Sequence, residues 1–235
     1  MKSKAAVLAS GWLLLFSGCR DVLFNNPLDP NASTEVLQIE KIMTTTLAND
    51  GDITFDGEKF WKVNVVGGLI AFDVETGTTI RTIGGVSGTG VAVTQDRIFV
   101  CSGDNLIYSL DPLSGDIIDR IATVDIYPGF MASMDDHLLI YDLRSFAFYD
   151  YEPNSGEVQF LFQVTGVDLA GLEFYEGGIL FVDRNSNSIF HYTLEGELIS
   201  AYRSPASDTG GISVDASNNI YLLTLNGQLY KVSVP

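Results

Sequence analysis

The sequence predicts an all-β fold, a closed ring of five four-stranded antiparallel sheets. Three observations carry that expectation. Residues 35–235 repeat at intervals of about forty residues. Each repeat holds four short runs separated by turn residues, and the last repeat lacks its fourth run while a strand-like run stands unpaired ahead of the first.

The first repeat, "DITFDGEKFWKVNVVGGLIAFDVETGTTIRTI" (52–83), aligns without a gap over "GVAVTQDRIFVCSGDNLIYSLDPLSGDIIDRI" (90–121). Ile53 falls on Val91, Trp61 on Phe99, Asp73 on Asp111, Gly77 on Gly115 and Ile83 on Ile121. A third copy spans 131–162, a fourth 171–203 with a shorter turn, and a fifth 211–234. With flanking residues the five units are 52–83, 90–122, 130–163, 170–203, and 210–234 plus 35–45.

The second runs, "KFWKVNV", "RIFVCS", "LLIYDL", "ILFVDR" and "IYLLTL", are almost continuously apolar. Strands of that kind are covered on both faces, as in blades packed around an axis, whereas a sheet with one wet face alternates. Turns between third and fourth runs read "DVETGT", "DPLSGD", "EPNSGE" and "TLEGE", where Gly supplies a positive φ. The run "TEVLQIEKIMTT" (34–45) would complete the last blade and leave no unpaired interior edge. This pattern resembles NHL, YVTN-type and quinoprotein-like repeats, and the resemblance implies a five-bladed β-propeller closed by its N-terminal strand. It covers the whole of 35–235 and speaks to fold more than to function.

Lys2 and Lys4 precede an apolar run from Ala5 to Phe16. That run is short of the ~20 residues that span a bilayer and reads as a secretory signal. Its end, Phe16-Ser17-Gly18-Cys19, resembles the bacterial lipobox, with Phe16 where leucine is usual. The resemblance implies a signal peptide over 1–18 and an acylated Cys19 buried in the lipid bilayer as mature N-terminus. Residues 19–34, with Pro27 and Pro30, then form a tether. Arg20 after the lipidated cysteine, in place of aspartate, implies the outer membrane of a bacterial envelope.

Thirty acidic against 13 basic residues give a formal charge of −17, which excludes a surface built to grip nucleic acid. Two cysteines (Cys19, Cys101) and two histidines (His137, His191) leave no material for a zinc cluster or a disulfide framework. Cys101 lies in an apolar run as a buried small residue. "GGVSGTG" (84–90) lies between strands, so it reads as a blade connection, not as a phosphate loop or nucleophile elbow.

Binding is expected on the face where blade-to-blade connections and second-to-third-strand loops emerge. Four residues before Ile53, Val91, Ala132, Leu172 and Ile212 stand Asn49, Ser87, Pro128, Asp168 and Asp208. Asn49, Asp168 and Asp208 fall on neighbouring blades of a closed ring, with Asp50, Asp52 and Asp183 close in sequence. Such an arc offers oxygen ligands to calcium or an ammonium group, or is a solvated acidic rim. Tyr127, Phe130, Arg144 and Phe146 fall on the loops of blade three, as a patch for a protein or glycan partner or as a cap on the blade's own core. The expected function is a membrane-anchored, non-catalytic binding or scaffold module. The alternative is a hydrolase of an envelope glycan or lactone using Asp168, Asp183 and Asp208, which would need two carboxyls about 5 to 10 Å apart in a deep pocket.

Overall fold

A computed structural model describes residues 35–45, 51–94 and 96–234, whose regular secondary structure is entirely β-strand. Cys19, the signal and tether segments, Asn49 and Asp50 lie outside the described residues. β1 (Glu35–Val36) and β2 (Gln38–Thr44) precede the first blade, β3 (Ile53–Phe55), β4 (Phe60–Asn64), β5 (Gly68–Phe72) and β6 (Thr79–Ile83). Blade two is β7 (Gly90–Val93), β8 (Ile98–Cys101), β9 (Leu106–Leu110) and β10 (Ile117–Ala122). Blade three is β11 (Pro128–Met134), β12 (His137–Asp142), β13 (Ala147–Glu152) and β14 (Glu157–Gln163). Blade four is β15 (Leu169–Tyr175), β16 (Gly178–Asp183), β17 (Ser188–Thr193) and β18 (Leu198–Arg203), and blade five is β19 (Thr209–Val214), β20 (Ile220–Thr224), β21 (Gln228–Ser233) and β2. The chain is thus a five-bladed β-propeller of four-stranded antiparallel blades.

The turn motifs work as their residues suggest. Asp73 Oδ1 accepts the amides of Glu75 (3.0 Å) and Thr76 (2.8 Å), and Gly77 closes the turn at φ +69°. Asp111 holds Leu113 (2.7 Å) and Ser114 (2.8 Å) in the same way, with Gly115 at φ +83°. Each side-chain oxygen replaces a backbone acceptor that the tight turn cannot supply.

The continuous apolar runs fill the gaps between blades. One buried cluster lies between each pair of neighbours; that between blades one and two joins Trp61, Val63 and Leu69 to Val91, Ile98 and Val100. That between blades three and four is aromatic, with Tyr141, Phe148, Phe162, Phe181, Phe190 and Tyr192. Both faces of the second strands are therefore dry, which explains why they do not alternate.

Closure occurs through β2, antiparallel to β21 with Ile42 opposite Tyr230 and Met43 opposite Leu229. Met43 and Leu229 are buried with Ile53 and Phe60 of blade one, so the strand contributed from the N-terminal side seals the seam. The run divides at Leu37, which is buried among Ile189 and Val232, and β1 adds to β18 in parallel at Tyr202 and Arg203.

Blade three departs from the register read in the sequence. Cys101 pairs with both Gly90 and Ile107, whereas its counterpart Tyr141 pairs with Phe130 and Phe148. The second-to-third-strand turn of blade three, like that of blade four, is one residue longer than that of blade two, so Met131, not Ala132, is level with Val91, and Tyr127, not Pro128, stands at the corner.

Candidate functional site

The first strand of each blade is an edge of its sheet, so its inward N–H and C=O groups have no partner within the blade. Asp52 meets part of this need. It is fully buried, and its Oδ1 accepts the amides of Ile53 (2.9 Å) and Ile212 (3.2 Å) while Oδ2 accepts that of Leu172 (2.9 Å). Its own amide donates to Thr89 (2.9 Å), so this residue ties together blades one, two, four and five.

Register places Gly90, Phe130, Gly171 and Gly211 at the positions equivalent to Asp52. A Cβ on Gly171 would lie 2.6 Å from the Ile212 nitrogen, and one on Gly211 would lie 3.3 Å from the Ile53 nitrogen. The glycines let the inner strands approach until one carboxylate reaches three of them.

Two residues further along the inner strands, Glu173 repeats the arrangement. Oε1 accepts the Phe174 amide (3.1 Å), and Oε2 accepts the Ser213 hydroxyl (3.0 Å) and the Val214 amide (3.4 Å). Burial pushes the Glu173 carboxyl up to about 7, against the pull of those donors. Burial likewise holds the Asp52 carboxyl well above its ordinary range, opposed by three amides and reinforced by the charge of Glu173. Asp52 therefore does not widen an acidic rim; it is a buried tie between blades.

The loop face carries the other residues named from sequence. Asp183 ends β16 and is buried; its Oδ1 accepts the amides of Asp168 (2.8 Å) and Asn185 (3.2 Å), and its Oδ2 the hydroxyl of Ser186 (2.6 Å). Asp142 does the same in blade three, holding the amides of Tyr127 (3.1 Å) and Arg144 (2.9 Å) and the Ser145 hydroxyl (2.7 Å). Both aspartates fasten the blade's corner to the incoming connection.

Asp168 and Asp208 are exposed, each at the corner of its own blade, where their carbonyls accept the amides of Arg184 and Leu225 (both 2.9 Å). Among the described residues no group of three His, Cys, Asp or Glu gathers in metal-binding geometry. Behind this face the Tyr141 hydroxyl is buried without a hydrogen-bond partner. Its pKa is pushed up to about 12 by burial and by the charges of Asp142, Asp168 and Asp183.

Tyr127 and Arg144 are brought together. The Arg144 guanidinium lies 3.7 Å from the centroid of the Tyr127 ring. Phe130 is buried, whereas Phe146 is 45% exposed and takes φ +55°. The equivalent residue in blade four is Asn187, also left-handed at φ +52° but of a type that tolerates it. Leu143 and Val124 are exposed beside them in sequence.

Clefts open elsewhere. One of about 470 Å³ is lined by Phe55, Asp56, Val93, Thr94, Asp135 and Asp136, at the first-to-second-strand hairpins of blades one to three. A small one of about 130 Å³ lies on blade three, between His137, Asp150, Glu152, Glu157 and Gln159. There His137 Nδ1 meets Asp150 Oδ1 at 2.6 Å, and that carboxylate raises the imidazole pKa. His191 is buried, with Nε2 at 3.0 Å from the Tyr175 carbonyl, and Cys101 is a buried free thiol.

Sequence alone places Asp52 with the loop arc and gives Glu173 no role. Their signal is an acid inside an otherwise apolar first-strand run, as in "GDITF" and "AGLEF".

No protein-family model matches the sequence, and no curated protein does. Solved structures do match in fold. Glutaminyl cyclase from Myxococcus xanthus is similar with a TM-score of 0.72 at 15% identity, over 84% of this chain and 96% of that one. The β-propeller domain of Cps50 (Swd1) from Myceliophteria thermophila gives 0.55 at 10% identity, over 85% and 100%. The WD40 propeller domain of Doa1 gives 0.52 at 9%, over 85% and 97%. At such identities the likeness establishes the β-propeller architecture and leaves the chemistry to the chain's own residues.

Proposed function

We propose that the chain is a lipid-anchored bacterial envelope protein, held in the outer membrane through an acylated Cys19, and that its propeller is a non-catalytic binding module. The contact surface is the loop corner of blade three, and the partner is a protein or glycan of the envelope. Phe146 carries this reading. A half-exposed phenylalanine in the left-handed region costs of order 1 kcal/mol or more, and nothing in the fold requires it, since blade four makes the same turn with Asn187. Beside it stand the stacked Tyr127 and Arg144, residue types that dominate binding interfaces.

The hydrolase reading has less support. Asp183 is spent on its own turn, and Asp168 and Asp208 stand at separate corners.

The test pairs Phe146→Asn with Arg144→Glu. Phe146→Asn is expected to raise Tm, because Asn tolerates the left-handed backbone, and yet to abolish capture of the partner from envelope extract. Arg144→Glu should abolish capture while lowering Tm by only a few degrees, the loss of its stacking on Tyr127. Capture undiminished in both variants would sink the assignment. Cys19→Ser should release the protein from the membrane fraction, and an unmodified Cys19 in the intact mass of mature protein would refute the anchor.

A further inference from the structure

The outermost strand of each blade is an open edge, and such edges are normally guarded by charge or cover. β6 carries Arg81, β10 carries Asp119 and Arg120, and β2 carries Glu40 and Lys41. β18 has no charge before its last residue, Arg203, and that end is covered by β1. β14 carries its one charge at its first residue, Glu157, and among the described residues no strand covers it: from Val158 to Gln163 it reads VQFLFQ. Val158 is 40% and Phe160 58% exposed, the latter edge-on to Tyr149 with ring centroids 5.8 Å apart.

The two faces of this edge differ. Val158 and Phe160 stand opposite Tyr151 and Tyr149, on the apolar side. Glu157 and Gln159, opposite Glu152 and Asp150, stand on the other and line the 130 Å³ cavity with His137. A strand laid along β14 would place successive side chains alternately on an apolar strip and in an acidic hollow.

We propose that β14 is a strand-addition site for an extended polypeptide with alternating apolar and basic residues. The backbone of the partner pairs with the free edge, its Lys or Arg enters the hollow beside Glu157, and its apolar residues cover Phe160 and Val158. β1 on β18 shows the same mode of addition on the next blade. The site is separate from the loop corner, so its failure would leave the function proposed above standing.

The probe is a capped ten-residue peptide of alternating lysine and valine, titrated into isotopically labelled full-length protein and followed by amide resonances. Shifts confined to residues 157–163, their neighbours on β13 and His137 are expected. Phe160→Lys, at an exposed position, and Glu157→Lys should each weaken binding at least about ten-fold, and so should N-methylation of alternate peptide amides, which removes strand pairing but keeps every charge. Absence of binding, equal binding of the N-methylated peptide, or shifts spread over the acidic surface would overturn the proposal. So would concentration-dependent broadening of β14 without peptide, which would make a second copy of the chain the occupant.

Discussion

Replacing Asp52 with alanine tests whether the axial carboxylate holds the inner strands together. The change strips the acceptor from three buried amides, those of Ile53, Leu172 and Ile212. Each buried donor left unpaired costs about 1 to 3 kcal/mol, and removing a desolvated charge returns part of the sum, so a net loss of about 4 kcal/mol is expected. For a domain of this size that lowers Tm by roughly 8 to 16 °C. Asp52→Asn keeps one oxygen for two of the amides and turns its NH₂ toward the third, so it should lose about half as much. The assay is thermal and urea unfolding of the three proteins at pH 7, with an unchanged m-value to show that the same surface is exposed. An alanine variant within about 1 kcal/mol of wild type, or one more stable than the asparagine variant, would refute the idea that Asp52 satisfies the ring's inner edge.

Three further outcomes follow from the same geometry. A Glu173 carboxyl moved from its ordinary 4.5 to about 7 keeps a proton in the native chain that the unfolded chain has released. Stability should therefore fall as pH rises through that window, by about 3 kcal/mol, and Glu173→Gln should flatten the decline. Asp56 and Asp215, whose carboxyls are held low, act in the opposite sense and only at pH values below their ordinary 3.8. Asp52 and His137, both held high, add declines of the same sign, so the Glu173 share is the difference between wild type and Glu173→Gln in urea midpoints from pH 5 to 8. Gly171→Ala puts a methyl group 2.6 Å from the Ile212 nitrogen and should destabilise by several kcal/mol, whereas Gly156→Ala, where nothing lies within 4 Å, should cost about 1 kcal/mol from its φ of +76° alone; comparable Tm values for the two would contradict the close approach. Removing residues 35–44 deletes the closing strand and buried Met43, and should leave a chain that unfolds or aggregates at 37 °C, as judged by scattering and circular dichroism.

The sequence reveals the ring because its determinants are local and repeated. Asp73, Asp111 and their glycines mark turns by chemistry that acts within five residues, and Trp61 over Phe99 aligns two blades by packing alone. The axial site is not local. Asp52 bonds to residues 120 and 160 positions away, and in sequence it is one more acid in an acidic chain. Asp183 looks like an available ligand for the same reason; only the corner geometry shows its oxygens taken by Asp168, Asn185 and Ser186. Tyr127 and Arg144 are legible as a pair because both belong to one blade's loops, but a one-residue longer turn displaced the corner by one position in the count.

Three departures are concentrated on blade three. Its inner strand has Phe130 where blades two, four and five have Gly90, Gly171 and Gly211. Its loop places Phe146 in a backbone conformation that blade four gives to Asn187. Its outer strand is charged only at Glu157 and, among the described residues, has no covering strand. Packing explains the first of these, since Phe130 joins the aromatic cluster with Tyr141 and Phe148. It explains neither of the others, which expose apolar surface and cost stability without filling any gap. On the inner strands, by contrast, the buried Asp52 and Glu173 are each matched by hydrogen-bond donors from other blades. The uncompensated costs at the corner and rim of one blade are what support the proposal that blade three is the contact side.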